Sequence, residues 1–280
     1  MFTRATVLCY FPFQIGVAMK DLREGAELLD HPEVIRRLLF PHPNTAPDRQ
    51  DATNHFIRTA EDVQLGCRFF KARPDGPNIL FFHGNGETAA DYDYVAPLYR
   101  KQGLNLFVAE YRGYGMSGGS PTCSGILRDT DPVFEEFRAF VQGMNLTGDL
   151  FVMGRSLGSA PAIETAYRHQ SEFKGLIVES GFASVRRQLE RIGLPDLFKD
   201  DADAIGFGND LKIAEVRIPT LIIHGEADSI IPVEEGKALY SLSGARKKEA
   251  LFIPNAGHND LLERDPVAYM ESIKRFVSAG

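Results

Sequence analysis

Tryptophan is absent from this sequence, and cysteine is scarce: Cys9, Cys67 and Cys123 are the only three. Scattered thiols in that number cannot build the disulfide framework of a small secreted domain, and no two of them have metal-ligand spacing. Long apolar runs are missing as well. No internal stretch reaches the ~18 residues of a membrane span, which argues against stable membrane insertion. Dense positive charge is also lacking. Lys plus Arg number 31 against 38 Asp plus Glu, a net charge of −7, and the longest basic run is Arg246-Lys247-Lys248. That balance excludes the electrostatic footprint of a nucleic-acid binder.

What is present suits a single large domain. A chain of 280 residues that is 44% hydrophobic and 25% charged can bury a full core without staples. The N-terminus has one ambiguous feature. Arg4 precedes an apolar stretch from Ala5 to Val17, and Gly16-Val17-Ala18 has the small-x-small form of a cleavage site. Pro12 and Gln14 interrupt that stretch and only one positive charge precedes it. The expectation is therefore a cytoplasmic protein, with residues 1–60 an extension packed on a catalytic domain at 61–280. Within the extension, Asp30 to Leu39 reads as a short helix with Pro32 in its first turn, before Pro41, Pro43 and Pro47 force an extended path.

From Gln64 onward the pattern is regular. Strand-like runs occur at Gln64–Lys71, Asn78–Phe82, Leu104–Glu110, Leu150–Met153, Gly175–Glu179, Thr220–His224 and Glu249–Ile253. Helical segments alternate with them at Thr88–Lys101, Ser124–Gln142, Leu157–His169, Val233–Leu242 and Pro266–Val277. Gly103, Gly143, Gly175 and Gly244 stand where helix C-caps are expected. Near-continuous apolar strands alternating with helices imply a mostly parallel sheet covered on both faces. The longest connection runs over residues 181–216. Phe182, Val185, Leu189 and Ile192 give it one apolar helical face, and Gly193, Pro195, Gly206 and Gly208 make the rest irregular. It follows the carboxyl end of a strand, where ligands bind in such sheets, so it is either a small lid or a fixed helix that completes the core.

The chemistry centres on Gly154-Arg155-Ser156-Leu157-Gly158, with an apolar strand before it and a small-residue helix after it. A nucleophile on a sharp strand-to-helix turn needs strained backbone angles, and flanking glycines remove the bulk that would clash there. The helix then aims free N–H groups at a developing oxyanion. A serine hydroxyl needs a base. Of the seven histidines, His258 follows the last strand and precedes the last helix, completing the chain order Ser, Asp, His. Asp228, on the loop after Ile222-Ile223-His224-Gly225, is the expected acid; Glu179, at the end of another strand, is the alternative. Two N–H donors are required for the oxyanion. The backbone of Leu157 supplies one, and the glycine-rich turn His83-Gly84-Asn85-Gly86 is placed to supply the other from Asn85.

Five segments in order, Phe81–Gly86, Tyr111–Ser117, Gly154–Gly158, His224–Asp228 and Gly257–Asp260, resemble the motifs of the α/β-hydrolase fold over residues 60–280. Tyr-Arg-Gly-Tyr-Gly-x-Ser together with Gly-Arg-Ser-Leu-Gly is most similar to single-domain serine esterases and acyl-protein thioesterases, a branch that includes membrane-anchored depalmitoylases. Two departures stand out. Ser159 occupies a position where many relatives carry a second glycine, and residues 1–60 lack the cysteine cluster that anchors depalmitoylases. The resemblance implies an α/β-hydrolase fold with a small or minimal lid. It also implies hydrolysis of a small-molecule acyl ester or thioester through an acyl-enzyme, with no cofactor. The oxyanion role of Asn85 comes from this resemblance too, and Tyr111–Ser117 becomes a structural loop at the rim. A serine peptidase acting on small peptides would use the same residues, and a binding protein that had lost catalysis would keep the same fold. Ser156 stands where an epoxide hydrolase or dehalogenase would carry its aspartate nucleophile. Acyl length, leaving group and oligomeric state are not encoded in any motif.

Overall fold

The computed structural model describes residues 23–194 and 206–279. The apolar stretch with its cleavage-like triplet and Cys9 lie outside the described residues, as does the part of the 181–216 connection at 195–205.

Chain order begins with α1 (Glu24–Glu27) and α2 (Pro32–Leu38), then β1 (Ala52–Arg58), β2 (Gln64–Phe70) and β3 (Asn78–Phe82). There follow α3 (Ala96–Lys101), β4 (Asn105–Ala109), α4 (Cys123–Arg128), α5 (Thr130–Gly143), β5 (Leu150–Arg155), α6 (Ser159–His169) and β6 (Gly175–Glu179). The remainder is α7 (Val185–Arg191), α8 (Asn209–Glu215), β7 (Thr220–Gly225), α9 (Val233–Leu242), β8 (Lys248–Ile253), α10 (Leu261–Arg264) and α11 (Pro266–Ser278). The strands form one sheet in the order β1-β2-β4-β3-β5-β6-β7-β8, with β1 and β2 antiparallel and every pairing from β4 onward parallel.

Both faces of this sheet are covered, which explains the unbroken apolar strands. Leu80, Phe82, Phe107, Val152, Val178 and Ile222 point into one core layer. Their neighbours Ile79, Phe81, Val108, Phe151, Ile177 and Ile223 point into the other. The period-two alternation of strand side chains thus feeds two cores at once. No helix among the described residues is long and apolar enough to cross a membrane.

Several elements differ from the sequence expectation. The sheet begins at Ala52, so β1 belongs to the domain rather than to an extension reaching residue 60. The helix expected at Thr88–Lys101 is a short 3-10 turn, Ala89–Asp93, followed by α3 with Pro97 in its first turn. A proline ring there would clash with the preceding turn of a continuous helix. The helix expected at Ser124–Gln142 is split into α4 and α5 around Asp129, with Thr122 capping α4 by accepting from the Gly125 N–H at 2.9 Å. Of the four expected C-cap glycines, Gly103 takes the left-handed conformation at φ +79°; after α5 that place is filled by Asn145 at φ +53°. The helix read at 182–192 forms as α7, and α8 is an additional helix packed against α6 and α9.

Candidate active site

Because β3, β5, β6, β7 and β8 run parallel, the loops after their carboxyl ends meet along one edge of the sheet. Ser156 lies at the tip of β5 with φ +53°. A left-handed conformation is rare for a residue with a Cβ and marks stored backbone strain. Its glycine flanks make the turn possible. A Cβ on Gly154 would lie 2.1 Å from the Gly158 carbonyl oxygen, and one on Gly158 would lie 2.1 Å from that of Phe82.

His258 reaches this tip from the loop after β8. Its Nε2 stands 2.8 Å from Ser156 Oγ, and its Nδ1 stands 2.7 Å from Asp228 Oδ2. The carboxylate can only accept, so Nδ1 carries the hydrogen and Nε2 faces the serine hydroxyl with its lone pair. Asp228 Oδ1 in turn accepts from the backbone N–H groups of Ile230 and Ile231, both at 2.8 Å. Burial alone would raise the Asp228 pKa. The hydrogen bonds from His224 and His258, with the Ile231 N–H, outweigh it and hold the carboxyl below the usual carboxylate range.

Glu179 is committed elsewhere. Its Oε2 accepts from Tyr269 Oη at 2.7 Å and its Oε1 from Arg155 Nε at 3.2 Å. The sequence offers it as the alternative acid and gives no signal for a role of His224 at the site. His224 touches the same carboxylate as His258: its Nε2 lies 2.8 Å from the Ile231 carbonyl oxygen and 3.4 Å from Asp228 Oδ2. Both neighbours are acceptors, so the hydrogen sits on Nε2, and the buried Nδ1 has no hydrogen-bond partner among the described residues.

Asn85 and Leu157 line the same cavity as Ser156 and His258. The Asn85 backbone N–H has no backbone partner among the described residues, as an oxyanion donor must. Its side chain makes three hydrogen bonds. Oδ1 accepts from the Phe40 N–H at 3.0 Å and from Tyr114 Oη at 2.8 Å, while Nδ2 donates to the Leu38 carbonyl at 2.6 Å. Tyr111 Oη donates to the His83 carbonyl at 2.6 Å. The Tyr-Arg-Gly-Tyr run therefore clamps the Asn85 loop from behind. Arg37, Leu38 and Phe40, in a segment with no recognisable motif, form part of the cavity wall.

That cavity holds about 360 Å³. Leu157, Phe182, Val185, Phe207, Ile230 and Ile231 give it an apolar side beside Ser156. Leu189 of the same helical stripe is buried in the core instead. Helix α7 is fixed at both ends. The N–H groups of Ala183 and Ser184 donate to Glu235 Oε2 at 2.8 and 3.0 Å, and Arg37 Nη1 donates to the Ile192 carbonyl at 3.0 Å.

The mouse alpha/beta hydrolase domain-containing protein 17C is 33% identical over 229 residues, which is 80% of this chain and 67% of that protein. The human alpha/beta hydrolase domain-containing protein 17B is 32% identical over 236 residues, covering 82% of this chain and 76% of that one. The chain belongs to the α/β-hydrolase family. Residues 74–199 also match the family model described as serine aminopeptidase, S33. Against the human 17C relative the chain spans 65% of that protein's length. Among solved structures, an esterase from Pyrococcus furiosus superposes with a TM-score of 0.68 at 17% identity, covering 86% of this chain and 97% of that one. A monoacylglycerol lipase from Paleococcus ferrophilus gives 0.56 at 16% identity, covering 77% and 98%. These two likenesses establish a shared fold; the curated relatives establish the family of hydrolases.

Proposed function

We propose that this hydrolase cleaves carboxylic esters or thioesters through an acyl-enzyme formed on Ser156. The observation that carries the reading is the continuous hydrogen-bonded line from Asp228 through His258 to Ser156. Ser156 Oγ attacks the acyl carbonyl while His258 Nε2 takes its proton. Asp228 keeps the imidazole in the required tautomer and stabilises the imidazolium. The N–H groups of Asn85 and Leu157 hold the oxyanion of the tetrahedral intermediate. Collapse breaks the bond to the leaving alcohol or thiol, which receives its proton from His258. Water, activated by the same histidine, then repeats the attack, releases the carboxylic acid and restores the serine.

The apolar side formed by Phe182, Val185, Phe207, Ile230 and Ile231 is proposed to take the acyl group, with the segment at 181–194 as a fixed wall. The serine aminopeptidase description of the matching family model favours one second reading, hydrolysis of small peptides by the same residues. A panel of p-nitrophenyl esters, acyl thioesters and peptide p-nitroanilides decides between them. Ester or thioester turnover that exceeds peptide turnover, and is lost in Ser156→Ala, supports the proposal. Preferential turnover of the peptides would replace it with the second reading.

A further inference from the structure

The residue before the nucleophile has no part in the steps above, yet its side chain is the most heavily bonded in the site. Arg155 Nη2 donates to the backbone carbonyl of His258 at 3.0 Å and to Asn259 Oδ1 at 2.8 Å. Its Nε donates to Glu179 Oε1 at 3.2 Å, and its Nη1 pairs with Glu87 Oε1. Four of the five guanidinium N–H donors are thus in use, spread over two loops and the end of β6. The two carboxylates are themselves held. Glu87 Oε2 accepts from the Gly84 N–H and from Tyr92 Oη, each at 2.8 Å, and Glu179 Oε2 accepts from Tyr269 Oη at 2.7 Å. Burial disfavours the Arg155 charge, but Glu87 and Glu179 more than compensate and keep it firmly protonated.

We infer that Arg155 is a positioning residue that locks the histidine loop and the Asn85 loop to the nucleophile elbow. The bond to the His258 carbonyl ties the base to the residue adjoining Ser156. The path through Glu87 to the Gly84 N–H ties the oxyanion loop to the same guanidinium. Glu179, which sequence reasoning weighed as a triad acid, serves here as a counter-charge that orients Arg155. A planar fork is needed for this geometry. The ammonium of lysine has three donors on a flexible stem and cannot reach His258, Asn259, Glu87 and Glu179 together.

The inference rests on the serine-hydrolase reading above, and labelling of the wild-type protein by a fluorophosphonate probe tests that reading separately. If the wild type is not labelled, the reading fails. If it is labelled, the Arg155 variants test the inference alone. Arg155→Lys keeps the charge and loses the fork. We expect kcat on a p-nitrophenyl ester to fall about 10- to 100-fold, as for a small misplacement of reacting groups, with KM within about threefold of wild type. Arg155→Ala should be slower still, and added guanidinium ion at low millimolar concentration should restore part of its kcat while methylammonium does not. Wild-type kcat in the lysine variant, a loss confined to KM, or equal rescue by both ions would overturn the inference. Should the Arg155 variants fail to fold, Asn259→Ala removes one acceptor at an exposed position. A kcat lowered about threefold at constant KM supports the tether, and an unchanged kcat refutes it.

Discussion

Two side chains on one helical stripe are expected to respond in opposite ways to the same truncation. Leu189 is 4% exposed and sits in the core layer under α7, whereas Ile192, one turn on, is partly buried and lines the cavity beside Ser156. Leu189→Ala removes buried methyl groups from a packed interior, which costs about 2–5 kcal/mol. For a chain of this size that converts to about 2–4 °C per kcal/mol, so a mid-range loss of about 3 kcal/mol lowers Tm by about 6–12 °C. The acyl-chain preference should not change. Ile192→Ala opens space on the cavity side, at a smaller stability cost of about 1–2 kcal/mol, and should shift the preferred p-nitrophenyl ester toward a longer or bulkier acyl group. Thermal melts and a C2–C12 ester series measured on both variants give the two readouts. If Leu189→Ala changes chain preference while leaving Tm intact, α7 moves as a lid and the fixed-wall account is wrong.

Asp228 links the site to stability. Its pKa is held below the usual range in the folded chain, so the folded state binds fewer protons there than the unfolded state. Its contribution is fully present above the unfolded carboxylate value of about 3.9 and is lost as pH falls through the lower native value. Urea melts from pH 6 to pH 3 should therefore show a steeper acid loss in wild type than in Asp228→Asn; equal slopes would contradict the assignment. At the elbow, Gly158→Ala places a Cβ 2.1 Å from the Phe82 carbonyl oxygen. That overlap should prevent soluble expression or lower Tm sharply, and a variant with unchanged Tm would mean that β3 and the elbow are less closely packed than described.

Much of the site is legible in sequence because its residues stand at strand ends, where the change from apolar run to glycine-rich turn is local. Gly154–Gly158, Asp228, His258 and the Asn85 turn are all of this kind: Asn85, Ser156, Leu157 and His258 line one cavity, and Asp228 stands behind His258. What was illegible depends on contacts far apart in sequence. Strand β1 carries Asn54, His55 and Arg58 at a sheet edge and shows no apolar alternation, so only its pairing with β2 reveals it. Phe40 and Leu38 enter the site through backbone groups, which leave no side-chain signature. Glu179 and Asp228 both follow apolar strands. The Ile230 and Ile231 N–H groups that fix Asp228, and the Tyr269 hydroxyl that occupies Glu179, become visible only once β6, β7 and α11 are assembled. The lid question has the same origin, since a helical apolar stripe looks alike whether it faces a core or a cavity, and here Leu189 lies in the core while Ile192 packs at its edge and also lines the cavity.

The central claim is that Ser156 is a nucleophile activated by His258. The most direct measurement is mass spectrometry of the protein after reaction with a fluorophosphonate, with peptide mapping of the adduct. The account predicts one covalent adduct per chain, on the peptide that carries Gly154-Arg155-Ser156-Leu157-Gly158, and none in Ser156→Ala or when His258 is replaced by alanine. An adduct on any other residue, or an unmodified wild-type chain under conditions where it hydrolyses esters, would contradict it.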